Sequence, residues 1–385
     1  MRWENILLSD IADFSNGINF EKSAYSAGVK LISVSNFGNR FSPNYEELQE
    51  VSDDAVRESD YLQDGDIVFV RSNGNKELVG RCMLIKNPKF HVTYSGFCIR
   101  ARIKDTEKFN PVFFTYYFKN KTFRKAMAGT AVGSNIQNLS QGRLSKHIAN
   151  VPDIDTQDRI AEVLSGYDNL IENNQKQIKL LEEAAQRLYK EWFVDLRFLG
   201  HESTPIVDGV PEGWIWGTLA DIAVFRRGKT ITKDQVNVGI IPVVAGGLEP
   251  AYYHDTPNTN VPVVTVSGSG ANAGFTRMYH TRVWASDCSY IDATVTKNIA
   301  WVYCFLKGNK ASIDAMQKGA AQPHVYAKDL NAMKALFPDD KLMERFRVIT
   351  EPMFTRIGKL DMQIKRLAEA RDRLLPKLMS GEIEV

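Results

Sequence analysis

From residue 160 onward, seam positions recur at alternating steps of four and three: Ile160, Leu164, Tyr167, Ile171, Asn174, Ile178, Leu181, Ala185, Leu188 and Trp192. That spacing keeps one narrow stripe on one side of a helix and is the seam of a coiled coil. The positions between, in NLIENNQKQIKLLEEAAQRLYKEW, are nearly all charged or amide, so the pattern predicts a rod solvated on its other sides. The stripe returns 186 residues later as Phe346, Thr350, Met353, Ile357, Leu360, Ile364, Leu367, Arg371, Leu374 and Leu378, with Thr350 and Arg371 as polar exceptions. Two helices of equal length and matching seam are expected to pack on each other antiparallel, with Asn174 fixing register. In the terminal stretch RDRLLPKLMSGEIEV, Pro376 falls in a last turn, where lost hydrogen bonds cost least, and Gly381 is a terminator. Pro352 is expected to kink the second helix or mark its start.

Each helix closes a mixed segment, and the two segments repeat one another. LSDIADFSNG (8–17) corresponds to LADIAVFRRG (219–228), and LSKHIANVPD (144–153) to LNAMKALFPD (330–339). A period this long is a domain duplication and not a short-repeat solenoid. Each segment is expected to open with a short helix and a glycine turn and to continue through β-branched runs. The runs are VKLISVSN, GDIVFVRSN, RCMLIK and FCIRARI in the first, and GIIPVVAGG and VPVVTVSGSG in the second. An aromatic helix follows, PVFFTYYFKN and AWVYCFLKGN. The expected fold is α+β: two duplicated α/β domains with small twisted sheets, separated by two long antiparallel coiled-coil helices about a pseudo-two-fold. The boundaries fall at 1–150 for the first domain, 151–200 for the central helix, 201–337 for the second domain and 338–385 for the C-terminal helix.

Composition adds little until it is localised. The 385 residues are 44% hydrophobic and 24% charged, in the range of a globular, multidomain chain, with no apolar run of membrane-spanning length. Four scattered cysteines and six histidines lack zinc-ligand spacing, and a reduced, cytoplasmic setting is expected. The net charge of +2 conceals a block: residues 67–150 carry 15 Lys and Arg against three acids, whereas 46–66 carry nine acids and one base. Such a block is the footprint of phosphate binding, or else a surface balanced in space by the acidic stretch. Polar loops stand at matching places in the two segments. Small polar residues on glycine turns let backbone approach a phosphate or base edge, and Asn and Gln suit adenine as Arg and Lys suit guanine. The candidate DNA-contacting residues are therefore Arg71, Ser72, Asn73, Lys76, Arg81, Ser134, Asn135, Gln137 and Arg143 in the first segment. In the second they are Arg227, Lys229, Ser267, Ser269, Asn272, Arg277, Gln322 and His324.

Catalytic patterns fail by residue. Arg227-Gly228-Lys229-Thr230 lacks the first glycine of a phosphate-binding loop, Ala223 standing in its place. Asp339 and Asp340 stand at a helix start, where acids favour the dipole. No Asn-Pro-Pro-aromatic tetrad and no strand followed by GxGxxG is present. Catalytic residues and a metal site are accordingly expected to be absent. Three stretches, Arg371–Ile383 (RDRLLPKLMSGEI), Val163–Ile171 (VLSGYDNLI) and Leu219–Ala223 (LADIA), resemble the specificity subunit of type I restriction–modification enzymes along the whole chain. The resemblance implies two target-recognition domains, each reading one half of a split DNA sequence and joined by two antiparallel helices. It also implies two adenine-N6 methyltransferase subunits and motor–nuclease subunits as partners, with S-adenosylmethionine, ATP and Mg²⁺ on those partners and no cofactor in this chain. The alternatives are a freestanding double-domain DNA-binding protein without methyltransferase partners, and a nuclease acting through acids near Asp339.

Overall fold

The computed structural model describes every residue except Met1, Asn39, Lys76, 128–136 and 319–322, and of Gln137 the backbone alone. The chain divides into two units, Met1–Glu172 with Lys365–Val385, and Asn173–Ile364.

In the first unit an antiparallel sheet has the order Ala12–Asn16, Cys98–Ile103, Ile67–Val70, Cys82–Leu84. Its strand Ile67–Val70 reads IVFV without a polar interruption because both its faces are covered. Ile67 and Phe69 enter the core built on the aromatic helix, while Val68 and Val70 enter a second core with Ile32 and Tyr94. The aromatic helix, Pro111–Lys119, starts where Pro111 needs no donor and where Asn110 accepts from the N–H of Val112 and Phe113. A smaller sheet places Val29–Ile32 antiparallel to Gln49–Val51 and parallel to Val92–Tyr94. A ribbon of Trp3–Leu7 with Ile148–Pro152 closes the segment.

The second unit repeats this plan strand by strand. Its larger sheet runs Arg226–Arg227, Cys288–Asp292, Val263–Ser267, Thr276–Tyr279, again antiparallel. Its smaller sheet places Ile241–Val244 antiparallel to Tyr252–His254 and parallel to Trp284–Ala285. Ile215–Thr218 pairs with Lys334–Phe337 as the closing ribbon. The glycine shared by the two opening motifs has the same task in each. A Cβ on Gly17 would lie 2.3 Å from the Tyr94 and Ser95 carbonyl oxygens, and one on Gly228 would lie 2.2 Å from that of Ser286. Gly228 is thus a point of close backbone approach between strands, which accounts for the RGKT stretch without a phosphate.

The opening motifs depart from the expected helices. Leu8–Ile11 makes one helical turn, but Ala12–Asn16 continues as a strand; in the second unit only the 3₁₀ turn Leu219–Asp221 remains. Pairing of Ala12–Asn16 with Cys98–Ile103 overrides the local pattern.

The long helices are Ile154–Tyr189, prolonged by a π-turn at Lys190–Val194, and Asp340–Met379. In the first unit Ile160 and Leu164 share a core with Leu375 and Leu378; in the second Tyr189 and Trp192 share one with Phe346. Rising numbers on one helix meet falling numbers on the other, so the pair runs antiparallel within each unit. Every seam position is buried or half-buried. Pro352 does not start the second helix, which begins at Asp340. Its missing N–H leaves the Val348 carbonyl without its helical donor on a face where both residues are exposed. The two polar exceptions are satisfied differently. Thr350 donates its hydroxyl to the Phe346 carbonyl, 2.8 Å away, and Arg371 forms an ion pair with Asp168.

Candidate nucleic-acid interface

In each unit the described end of the second polar loop pairs with the first polar loop singled out in the sequence. Strand Ile67–Val70 delivers Arg71 to its end, and beyond it Ser72–Asn73 pairs antiparallel with Gln137–Asn138. The Leu139 N–H donates to the Arg71 carbonyl at 2.9 Å. In the second unit Ser269 bridges His324, and the Val325 N–H donates to the Gly268 carbonyl at 3.1 Å. Leu139 and Val325 stand 186 residues apart, the offset of the helical seams, so the same clasp is built twice. Gly270, at φ 78°, takes the left-handed turn that lets its N–H reach the Pro323 carbonyl across the clasp.

The chemistry on the two clasps differs. Beside the first, Arg81 Nε and Arg124 Nη2 both donate to the Glu77 carbonyl, at 3.1 and 2.8 Å, and Arg143 Nη2 donates to that of Ala126 at 3.1 Å. Among the described residues none of these three guanidinium groups has a carboxylate at ion-pair distance. Partial burial, and then the neighbouring charge of Arg124, pull Arg81 below the usual guanidinium pKa. The acidic stretch neutralises a different part of the basic block. Asp66 is buried and takes Arg102 through two bonds of 2.7 Å, while Arg57 pairs with Asp60 within the stretch itself. Arg71 points its Nη1 at the Gly96 carbonyl, 3.3 Å away. Lys76, Ser134 and Asn135 lie outside the described residues, as does the Gln137 side chain.

The second clasp is less basic and more aromatic. Arg277 donates to the Leu248 carbonyl at 3.1 Å and lies 5.0 Å from the Tyr279 ring centre. Lys229 lies 5.9 Å from the Trp284 ring, whose Nε1 donates to the Lys229 carbonyl. Arg227 is exposed on its strand. Ser267 is buried and donates to the Gly246 carbonyl, as does Asn272 at 3.4 Å; both hold the loop. Ser269 donates to the Asp287 carboxylate. His324 stacks on exposed Tyr326, their planes 11° apart, with Lys328 over the same ring. Gln322 lies outside the described residues. Sequence reading missed Arg124, although KTFRK was a visible signal within the basic block, and Tyr326, although it stands two residues after His324; it also missed Phe97 and Asp287, which reach the clasps only through folding.

Among the described residues no group of three His, Cys, Asp or Glu could hold a metal ion. The four cysteines are free and buried, and burial pushes the Cys82 thiol up to about 11 and the Cys98 and Cys288 thiols up to about 12. No helix among the described residues is long and apolar enough to cross a membrane.

Residues 1–183 match the family described as Type I restriction modification DNA specificity domain. The chain is 26% identical over 295 residues to the Type I restriction enzyme MjaIX specificity subunit of Methanocaldococcus jannaschii, covering 70% of this chain and 68% of that one. It is 21% identical over 478 residues to the Type I restriction enzyme HindI specificity subunit of Haemophilus influenzae, covering 99% of each. In fold it is similar to the S subunit of a type I restriction–modification system from M. genitalium, with a TM-score of 0.60 at 18% identity over 98% and 96% of the two chains.

Proposed function

We propose, from the premise that this chain belongs to the specificity subunits of type I restriction–modification enzymes, that each of its clasps reads one half of a bipartite DNA site. The protein is the DNA-recognition subunit; which residues meet the bases, and how the labour is divided, is our reading. The observation that carries it is the clasp built twice, on equivalent strands, with different side chains on each. A repeated framework with divergent chemistry is what reading two unlike half-sites requires. In the first unit Arg81, Arg124 and Arg143 meet phosphate and guanine, which guanidinium serves best. In the second, Arg277, Lys229, His324 and Tyr326 supply charge and stacking. The long helices set the spacing and give two methyltransferase subunits a solvated, polar face. Methylation and cleavage then lie on those subunits and on the motor–nuclease subunits, with S-adenosylmethionine, ATP and Mg²⁺, and this chain is non-catalytic. Such a role places it in the cytoplasm.

The test is domain exchange. Replacing residues 1–153 moves the ribbon Trp3–Leu7 with Ile148–Pro152 as a whole. In a host carrying the complete system, mapping of modified adenines is expected to show one half-site changed and the other kept. A change in both halves would contradict independent reading. Within the first unit, Arg81→Ala with Arg124→Ala is expected to flatten the dependence of log K on log salt by about one unit for each phosphate that is no longer neutralised. Anisotropy titrations of the assembled complex at several salt concentrations measure this slope.

A further inference from the structure

The clasps share a third strand of contact, and there the two units carry opposite chemistry. In the first unit the turn after Val92–Tyr94 runs Ser95-Gly96-Phe97-Cys98, and the Phe97 carbonyl accepts the N–H of Arg71 at 2.8 Å and of Ser72 at 3.4 Å. In the second unit the turn after Trp284–Ala285 runs Ser286-Asp287-Cys288, and the Asp287 carbonyl accepts the N–H of Gly268 at 3.1 Å. The residue that follows is cysteine in both. Its carbonyl accepts the N–H of the repeated glycine, Gly17 to Cys98 at 3.2 Å and Gly228 to Cys288 at 2.8 Å. Positions 97 and 287 are therefore one place in one backbone frame, directly under the first loop of each clasp.

Folding leaves the Phe97 ring and one oxygen of the Asp287 carboxylate unused. Phe97 is 57% exposed, although its chain neighbours Gly96 and Cys98 are buried. An exposed aromatic ring at that place gives up the burial a phenylalanine normally gains. Asp287 is half-buried and takes the Ser269 hydroxyl on Oδ2, leaving Oδ1 as a further acceptor. Among the described residues it has no cation at ion-pair distance. A carboxylate without a cation on a surface meant for phosphate is repelled by the backbone of DNA, so its contribution has to come from a base. The donor a carboxylate meets on a base edge in the major groove is the exocyclic amine, above all N4 of cytosine, and the apolar feature of that groove is the methyl group of thymine.

Resting on the reading of the clasps as DNA-contacting, we infer that positions 97 and 287 are paired specificity determinants, Phe97 packing on a thymine methyl in one half-site and Asp287 accepting from cytosine N4 in the other. The shared frame carries both, and the side chain alone sets the base.

The experiment is selection from a library of randomised duplexes by the chain assembled with its methyltransferase subunits, followed by sequencing of the bound fraction. Asp287→Asn keeps the shape and an acceptor for Ser269 but adds a donor, so preference at one position of one half-site is expected to move from cytosine toward adenine by about tenfold. Phe97→Ser is expected to lower the preference for thymine at one position of the other half by about tenfold, and Phe97→Leu, which stays apolar, to keep it. Phe97 is exposed, so an unchanged melting temperature is expected for both of its variants. The same sequence profile from parent, Asp287→Asn and Phe97→Ser overturns the inference while leaving the clasps as readers. A parent complex that enriches no sequence at all overturns the reading of the clasps and this inference with it.

Discussion

Arg371→Leu is expected to destabilise the chain by about 3–5 kcal/mol, the cost of leaving one partner of a buried ion pair behind. The partner is Asp168, on the helix Ile154–Tyr189 and only 5% exposed. Its Oδ1 takes Arg371 Nη1 and its Oδ2 accepts the Tyr116 hydroxyl at 2.5 Å. Tyr116 belongs to the aromatic helix of the first unit, so one carboxylate ties that helix to both long helices. Without the guanidinium, which is itself only 16% exposed, the charge of Asp168 keeps a single neutral donor. A hydroxyl does not offset the lost solvation of a carboxylate. Urea unfolding checks the figure: the midpoint should fall with an unchanged slope. Adding Asp168→Asn to Arg371→Leu removes the stranded charge and keeps an acceptor for Tyr116, so the double variant is expected to regain more than half of the loss. A loss below about 1 kcal/mol for Arg371→Leu would place the pair among weak surface bridges and refute its role as a buried tie.

The same residue marks the border of what the sequence discloses. A stripe of period 3.5 is local, so both helices and their phase can be read from spacing alone. Arg371 breaks the stripe, and its partner lies 203 residues away, so no local pattern announces the pair. The loops behave alike. Gly74 and Gly270 mark turns in the sequence, but that Asn73 faces Gln137, or Ser269 faces His324, is a long-range pairing. The opening motif shows local preference losing to such pairing: LSDIADF has the look of a helix, and from Ala12 onward it is the edge of a sheet. Charge was legible as a block, yet its meaning depended on which acids came near. Asp66 takes Arg102, whereas Arg81, Arg124 and Arg143 are left to carbonyls.

Inserting one heptad in each long helix, after Lys176 and after Met362, is expected to lengthen the unread spacer between the half-sites by about three base pairs. Seven residues add about 10 Å of helix, and DNA rises about 3.4 Å per base pair. Both insertions are needed. The helices run antiparallel within each unit, with Arg356 contacting Gln177 in one and Arg371 contacting Asp168 in the other, and a single insertion would slide one seam past the other. Seven residues keep the heptad phase, which four would shift by half a repeat. The boundary between the units falls inside both helices, after Glu172 and after Ile364, so an insertion near it leaves each core intact. Three base pairs also rotate the second half-site by about 100° around the duplex, since one turn takes about 10 base pairs. Twisting DNA to restore the facing costs energy, so the new site should be modified more slowly than the old one was, with both half-site sequences unchanged. Mapping modified adenines in a host carrying the variant reads spacing, sequence and extent together. If the original spacing is still modified, the segment between the first long helix and the second unit's ribbon, 195–214, sets the distance, and the helices are not the ruler.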